Sequence, residues 1–222
     1  MSARREKMPV VTVRQRQALV AAQSALHGRD PVLDQLVAQH GPAQLRGPAP
    51  ASTRFTALAE SIAYQQLNGK AAATIWGRVR TAAGGDVTPD AVLRLGPEPL
   101  RAAGLSGSKT RSMLDLADHV ATGDLALGRI GSLSDDAVIE SLTRVWGIGR
   151  WSAQMFLMFT LGRLDVWPMG DYGVRAGFAK AWRLGDHPKE AAMAELGEPF
   201  SGARSLVAWY CWRVADSPDG RS

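Results

Sequence analysis

The chain has 222 residues, of which 45% are hydrophobic and 21% charged, a composition typical of soluble globular proteins. Its one cysteine, Cys211, excludes an intramolecular disulfide and an iron–sulfur cluster held by four cysteines. No apolar run approaches the ~20 residues of a membrane span. The net charge of +5 favours a polyanionic partner without identifying one.

Capping residues, proline and glycine divide the first half of the chain into helices. Apolar spacing and these breaks predict helices over 12–27, 31–39, from a Ser52 cap to about Asn68, 70–83 and 108–121, with two short ones beginning at Thr88-Pro89 and Gly96-Pro97. The stretch 41–50 is rich in proline and glycine, so it is predicted to be a connector.

The second half of the chain is predicted to be helical as well. Ser134 is a predicted N-cap for a helix that runs to Trp146. The following helix, 150–161, is apolar on nearly all faces, which is typical of a buried helix. Further helices are predicted over 171–183, 188–197 and 201–215.

No stretch shows strand alternation, so the sequence predicts an all-α fold of about eleven helices, some very short. We expect two helical subdomains, with residues 1–51 and 172–222 forming one and residues 52–171 the other, and a central cleft between them.

Gly147-Ile148-Gly149 separates two of the predicted helices. Glycine allows a tight turn and a close approach of the backbone to a partner, and Ile148 could tuck into the core. The first amides of the next helix, together with Arg150, form a candidate phosphate site that reads no bases. From this stretch alone, an ordinary glycine-containing turn is an equally good interpretation.

The following segment decides between these interpretations. Gly147, Gly149, Pro168 and Asp171 occur at the spacing of the helix-hairpin-helix superfamily of DNA glycosylases, which the chain resembles. The superfamily's other motifs resemble three further stretches: Ile62 to Leu67, Leu105-Ser106 with Lys109, and Arg204-Ser205 with Tyr210-x-Trp212. The resemblance therefore covers about residues 52–215.

Within the superfamily the chain is most similar to the type II 3-methyladenine glycosylases, in a compact form without their N-terminal β-rich domain. Trp151 occupies the position at which strand-cutting members carry a lysine, so no Schiff base with the sugar is expected there. The resemblance implies a monofunctional enzyme of base excision repair. It would hydrolyse the N-glycosidic bond of alkylated bases of the 3-methyladenine and 7-methylguanine type.

The resemblance assigns the catalytic carboxylate to Asp171. A carboxylate can stabilise the sugar cation that forms as the bond breaks, and can orient or deprotonate water. Taken alone, Asp171 is more readily interpreted as a helix N-cap, and the two roles are compatible. Asp165 is the competing carboxylate and is interpreted as structural.

The family's base pocket corresponds here to Trp151, Tyr172, Met155 and Tyr64. Trp151 and Tyr172 are expected to stack on the flipped cationic base. Three positions depart from the family pattern, because Met155 and Ala203 replace pocket aromatics and Tyr64 replaces a glycine. Tyr64 or Trp167 could supply a missing face. The other tryptophans are predicted to lie in the core: Trp76, Trp146, Trp182, Trp209 and Trp212.

The DNA contacts that the resemblance implies fall into two groups. Gln65, Gln66 and Leu67 are candidates to fill the gap left by the flipped base, with Gln66 preferred. Phosphate contacts are expected from Gly147, Gly149, Arg150, Lys70 and Lys109.

No iron–sulfur or other cofactor is expected, except that the family's hairpin binds a monovalent cation. Its ligands here would be the main-chain carbonyls of Thr143, Val145 and Ile148. The four histidines are scattered without metal-ligand spacing.

The expected partner is double-stranded DNA with damaged bases, bound by a monomer that is cytoplasmic, acts at a bacterial nucleoid and has no membrane contact. Two alternatives remain open. One is a glycosylase of the same superfamily for oxidised, deaminated or mispaired bases. The other is a non-enzymatic DNA-binding module that uses the hairpin alone.

Overall fold

The computed structural model describes residues 13–45 and 48–217. Twelve α-helices form within these ranges, and their bounds are α1 Val13–Leu26, α2 Pro31–His40, α3 Arg54–Tyr64, α4 Gly69–Ala82, α5 Pro89–Leu95, α6 Pro97–Ala102, α7 Gly107–Ala121, α8 Asp135–Thr143, α9 Arg150–Met155, α10 Tyr172–Ala181, α11 Glu190–Gly197 and α12 Arg204–Asp216.

Short helical segments of other types join these helices. Three are 3₁₀ turns, Ala51–Thr53, Ile130–Ser132 and Glu198–Phe200. A π-helical stretch, Phe156–Thr160, follows directly on α9. Since no strand occurs in the described ranges, the predicted all-α class is confirmed.

Capping side chains explain where several helices begin. The Ser134 hydroxyl accepts the Ala137 amide at 3.3 Å, which confirms the predicted cap of α8. The predicted cap at Ser52 is wrong, because Ser52 lies in a 3₁₀ turn. Asn68 caps α4 by accepting the Ala71 amide at 2.9 Å, so its extended backbone begins a new helix instead of ending α3.

Two helices end earlier than the sequence predicts. The helix α3 stops at Tyr64, and α8 stops at Thr143 instead of reaching Trp146. A short loop follows each of these ends, polar after α3 and largely apolar after α8. These two loops carry most of the candidate DNA contacts, so the early ends determine how those residues are presented.

The chain divides into two units: a terminal unit of the residues up to Ala49 and from Met158 onward, and a middle unit, Pro50–Leu157. The sequence-based division instead ended the middle subdomain after residue 171. Hydrogen bonds explain the difference. The Val166 amide donates to the Ser205 hydroxyl at 2.9 Å, and the Trp167 indole donates to the Met193 carbonyl at 2.6 Å.

The terminal unit is built around the contact of α10 with α12. At Gly177 the two helices approach so closely that a side-chain methyl would overlap the backbone carbonyl of Cys211. Tyr210 on α12 is buried, and its hydroxyl donates to the Gly41 carbonyl at 2.9 Å. The loop that precedes α10 therefore leads into a closely packed helix pair.

The middle unit has a separate core in which α7 packs against α3, α5 and α6. Its centre holds fully buried side chains from several of these helices: Leu58, Ile62, Leu100, Met113 and Leu116. Each such burial contributes roughly 1.5–3 kcal/mol relative to exposure. Among the described residues, no helix is both long enough and apolar enough to span a membrane.

Candidate functional site

Asp171 is the N-cap of α10, and its carboxylate is held by two N–H donors. Its Oδ1 accepts the Val174 amide at 2.8 Å and the indole Nε1 of Trp212 at 2.9 Å. Its own amide donates to the Pro168 carbonyl at 2.9 Å, which closes the turn before the helix. These bonds fix the position and orientation of the carboxylate.

Trp212 reaches Asp171 because of a glycine between them. A methyl group at Gly173 would lie 2.9 Å from Cδ1 of Trp212 and 3.2 Å from Oδ1 of Asp171. Any larger residue would displace the indole or the carboxylate. Trp212 was predicted to belong to the core, but it is half-buried and touches the candidate catalytic group. The signal for this role was the glycine pair at 173 and 177, which lies on one face of α10 and indicates a close helix contact.

Aromatic side chains accompany Asp171 in the terminal unit. Tyr172, predicted to stack on the base, is 67% exposed and packs edge-on against the His187 ring at 5.4 Å. The ring of Phe159 lies 5.8 Å from that of Trp212. His187 and Phe159 were not singled out from the sequence, since both contacts are tertiary.

Two neighbouring residues are structural. Trp167 is only 6% exposed and its indole is bonded inside the core, so the suggestion that it supplies a pocket face is wrong. Asp165 receives two hydrogen bonds from the Arg204 guanidinium, at 2.7 and 2.8 Å. Burial acts to raise the pKa of Asp165, but the bonds from Arg204 outweigh it and hold that pKa below its usual value. This pairing supports the structural interpretation of Asp165.

The predicted hairpin connects α8 and α9 in the middle unit. Gly147 has φ +79°, and a methyl group there would overlap the Ser112 hydroxyl, so glycine is required twice over. At Gly149 a methyl group would meet nothing within 4 Å. The packing of the chain therefore does not demand glycine at 149, whereas close approach of another molecule would. Ile148 is buried, as predicted.

The hairpin lines a cavity of about 530 Å³. Its walls are Arg111, Asp115 and residues 143–149. Trp146, predicted to be core, is 48% exposed here, and that prediction is wrong. The reason is local: α8 has ended before Trp146, and its indole lies under the Arg111 guanidinium instead of entering the core.

The main-chain carbonyls of the hairpin are the candidate ligands of a monovalent cation. The Val145 carbonyl accepts the Ile148 amide at 3.1 Å, which leaves a lone pair on its oxygen. Main-chain oxygens are hard ligands, so Thr143, Val145 and Ile148 fit a monovalent cation by donor type. No group of three or more His, Cys, Asp or Glu side chains in the described part of the chain could hold a metal ion.

The loop after α3 is tied to its surroundings at both ends. The side-chain Nε2 of Gln65 donates to the Gly147 carbonyl at 3.0 Å, which connects this loop to the hairpin. The Lys109 ammonium donates to the Ala63 carbonyl at 2.8 Å, and burial lowers the pKa of Lys109. Lys109 therefore supports the loop, and its predicted phosphate contact stays a prediction.

Gln66 lies at the exposed tip of this loop. Its φ of +54° is a left-handed conformation that few non-glycine residues adopt. Leu67 beside it is exposed too, as is Lys70 in the first turn of α4. An exposed side chain held in a strained conformation suits the gap-filling role that was preferred for Gln66.

The other predicted pocket residues belong to the middle unit. Trp151 is 49% exposed in the first turn of α9, beside exposed Arg150. Met155 and Tyr64 are half-buried. Asp171 and Tyr172 lie in the terminal unit.

Comparison with known proteins identifies relatives along most of the chain. Residues 59–201 match the family model of the HhH-GPD superfamily of base excision DNA repair proteins. DNA-3-methyladenine glycosylase 1 of Schizosaccharomyces pombe is 32% identical over 168 residues, which are 74% of this chain and 74% of that protein. The alkylbase DNA glycosidase-like protein mag2 of the same yeast is 26% identical over 87% of this chain and 92% of its own length.

Solved structures of 3-methyladenine glycosylases also superpose on this chain. A 3-methyladenine DNA glycosylase of Schizosaccharomyces pombe in complex with abasic DNA superposes with a TM-score of 0.78 at 30% identity, over 91% of this chain and 100% of the other. A DNA-3-methyladenine glycosidase of Bacillus halodurans gives a TM-score of 0.76 at 32% identity, over 95% of this chain and 91% of the other.

Proposed function

The chain belongs to the HhH-GPD superfamily of base excision DNA repair proteins, and we propose that it is a monofunctional glycosylase that removes alkylated bases from DNA. The observation that carries the proposal is the Asp171 carboxylate, fixed by the Val174 amide and the Trp212 indole beside exposed Tyr172. The relatives named as 3-methyladenine glycosylases support the substrate class.

The proposed reaction is hydrolysis of the N-glycosidic bond. The bond breaks largely before water attacks, which leaves positive charge on the sugar. The Asp171 carboxylate stabilises this charge and orients or deprotonates the attacking water. A base methylated on a ring nitrogen carries a positive charge of its own, so it departs without a strong general acid. One carboxylate is then enough.

Base recognition in this proposal uses stacking. The base must leave the duplex, at a cost of a few kcal/mol, before it can be cut. Tyr172 and Trp151 are exposed aromatics that can hold a cationic base by stacking and cation–π attraction. Met155 and Tyr64 complete the pocket lining, and Gln66 is the preferred residue to fill the gap in the duplex, with Gln65 and Leu67 as the other candidates.

We assign binding of the DNA backbone to the hairpin and to nearby basic side chains. Gly149 and Gly147 allow close approach of a phosphate, and Arg150, Lys70 and Lys109 supply charge. A monovalent cation on the carbonyls of Thr143, Val145 and Ile148 would screen the phosphate charge there. The relative solved with abasic DNA supports DNA as the partner. We propose that the protein acts as a cytoplasmic monomer.

A panel of damaged DNAs tests the substrate class. DNA treated with a methylating agent is incubated with the protein, and the released bases are separated by chromatography. We expect free 3-methyladenine and 7-methylguanine, because cationic bases are the best leaving groups for a site with one carboxylate. Release of only oxidised or deaminated bases would show that the protein is a glycosylase of the same superfamily with a different substrate class. Binding of DNA without release of any base would indicate a non-enzymatic module.

A further inference from the structure

A stacked pair of side chains lies beside the hairpin and has no role in the site described above. The Arg111 guanidinium on α7 is 3.7 Å from the centre of the Trp146 ring. The Trp146 backbone amide donates to the Asp115 carboxylate at 2.7 Å, which anchors the backbone of Trp146 to α7. Arg111 and Trp146 are both exposed. The stack therefore holds a cation in a fixed position at the surface.

The N–H donors of Arg111 are uncommitted within the part of the chain that the structure describes, where no carbonyl or carboxylate accepts from them. Two other arginines are bonded within the protein. The Arg54 guanidinium donates to the Leu127 carbonyl at 2.7 Å, and the Arg204 guanidinium is paired with Asp165. An oriented guanidinium whose five donors lack a protein partner is suited to an external anion.

We propose that Arg111, stacked on Trp146, binds a DNA phosphate next to the one gripped by the Gly147–Gly149 hairpin. The proposal rests on the proposed function, since it takes the hairpin to lie on DNA. Arg111 lines the same cavity of about 530 Å³ as the hairpin backbone, so one strand running along the hairpin meets both. The indole fixes the guanidinium plane, which reduces the side-chain entropy lost on binding.

The charge balance of the cavity supports an anion. Its wall contains Arg111 and Arg144 against one carboxylate, Asp115. That carboxylate is already bonded to the Trp146 amide, and the His119 ring nitrogen lies 3.6 Å from it. Asp115 is thus engaged in holding the hairpin, and the two guanidinium groups outweigh its charge towards a phosphate.

Salt-dependent DNA binding tests the proposal. The affinity for a duplex with an abasic-site analogue is measured against salt concentration for wild type and for Arg111→Gln. Losing one phosphate contact is expected to lower the magnitude of the logarithmic salt slope by about 0.9. The affinity should fall by about tenfold, as for loss of one charge-assisted hydrogen bond.

The matched control is Arg213→Gln. Arg213 on α12 also lies over a tryptophan, Trp209, at 5.2 Å from the ring centre, so the control removes the same charge and the same kind of contact. We expect Arg213→Gln to keep the wild-type slope. Equal changes in both variants would show a general effect of net charge and would overturn the proposal, as would an unchanged slope in Arg111→Gln.

Trp146→Leu tests the contribution of the indole separately from the charge of Arg111. Removing the indole should weaken DNA binding a few-fold in the wild-type background and have almost no effect in the Arg111→Gln background, because the platform acts through Arg111. Equal weakening in both backgrounds would mean that Trp146 contacts DNA independently and that the stacked pair is not the site. Melting temperatures verify that each variant is folded.

Failure of this proposal is distinguishable from failure of the proposed function. If wild type releases methylated bases while Arg111→Gln binds with the wild-type slope, only the phosphate site is wrong. If the slope depends on Arg111 while wild type releases no base, the phosphate site stands and the catalytic proposal fails.

Discussion

Replacement of Asp171 by asparagine is expected to slow base release by about a hundredfold or more while binding of lesion-containing DNA is largely kept. Asparagine caps helices about as well as aspartate, and its carbonyl oxygen can still accept from Val174 and Trp212. What the amide lacks is the negative charge that would face the sugar cation. The measurement is single-turnover release of a methylated base, with affinity determined on the same preparation.

Asp165→Asn is the matched control for this variant. It makes the same chemical change six residues earlier, in a carboxylate that is paired with Arg204. We expect lower thermal stability, because the ion pair is lost, but a nearly normal rate for the folded enzyme. A normal rate in Asp171→Asn would contradict the mechanism. A collapse of the rate in Asp165→Asn, at unchanged stability, would move the chemistry to Asp165.

Gly177→Ala is expected to destabilise the protein by about 3 kcal/mol, which corresponds to a fall in melting temperature on the order of 10 °C. The added methyl would overlap the Cys211 backbone, so α10 and α12 would have to move apart. Because Asp171 begins α10 and Trp212 lies on α12, base release by the surviving folded fraction should fall too. Thermal unfolding and single-turnover release measure the two effects.

Gly77→Ala provides the control for Gly177→Ala. Gly77 lies within α4, and a methyl group there would meet nothing within 4 Å. The same substitution should therefore raise stability by roughly 0.5–1 kcal/mol, through the better helix propensity of alanine. If both variants had the same melting temperature, the close crossing at Gly177 would not be the feature that holds the terminal unit together.

The hairpin turn and the capping role of Asp171 were predictable because their signals are local. A glycine at 147 is required by the backbone angle of its own turn, and an aspartate before a helix caps the amides that follow it. Helix number and class were predictable for the same reason, since caps and apolar spacing act over a few residues. The end of α8 was missed because Val145 and Trp146 continue its apolar pattern, and the end of α3 because the break at Asn68-Gly69 was taken as its end.

The aromatic residues show where sequence reasoning stops. Trp146, Trp167 and Trp212 are chemically identical, yet one lies exposed under Arg111, one is buried and bonded to Met193, and one holds Asp171. Tertiary packing decides among these outcomes, and average burial of tryptophan does not. The glycine pair at 173 and 177 was the local signal of that contact, and Gly173 makes room for the indole of Trp212.

Hydrolysis without strand cleavage is the central claim, and one incubation tests it directly. Wild-type protein acts on an end-labelled duplex that contains a single 7-methylguanine, with and without borohydride. The account predicts one free base per abasic site and an intact strand that breaks only after alkali. It also predicts no trapped adduct, because the resemblance places Trp151 where strand-cutting members carry a Schiff-base lysine. Strand cleavage by the protein, or a borohydride-trapped complex, would contradict the account.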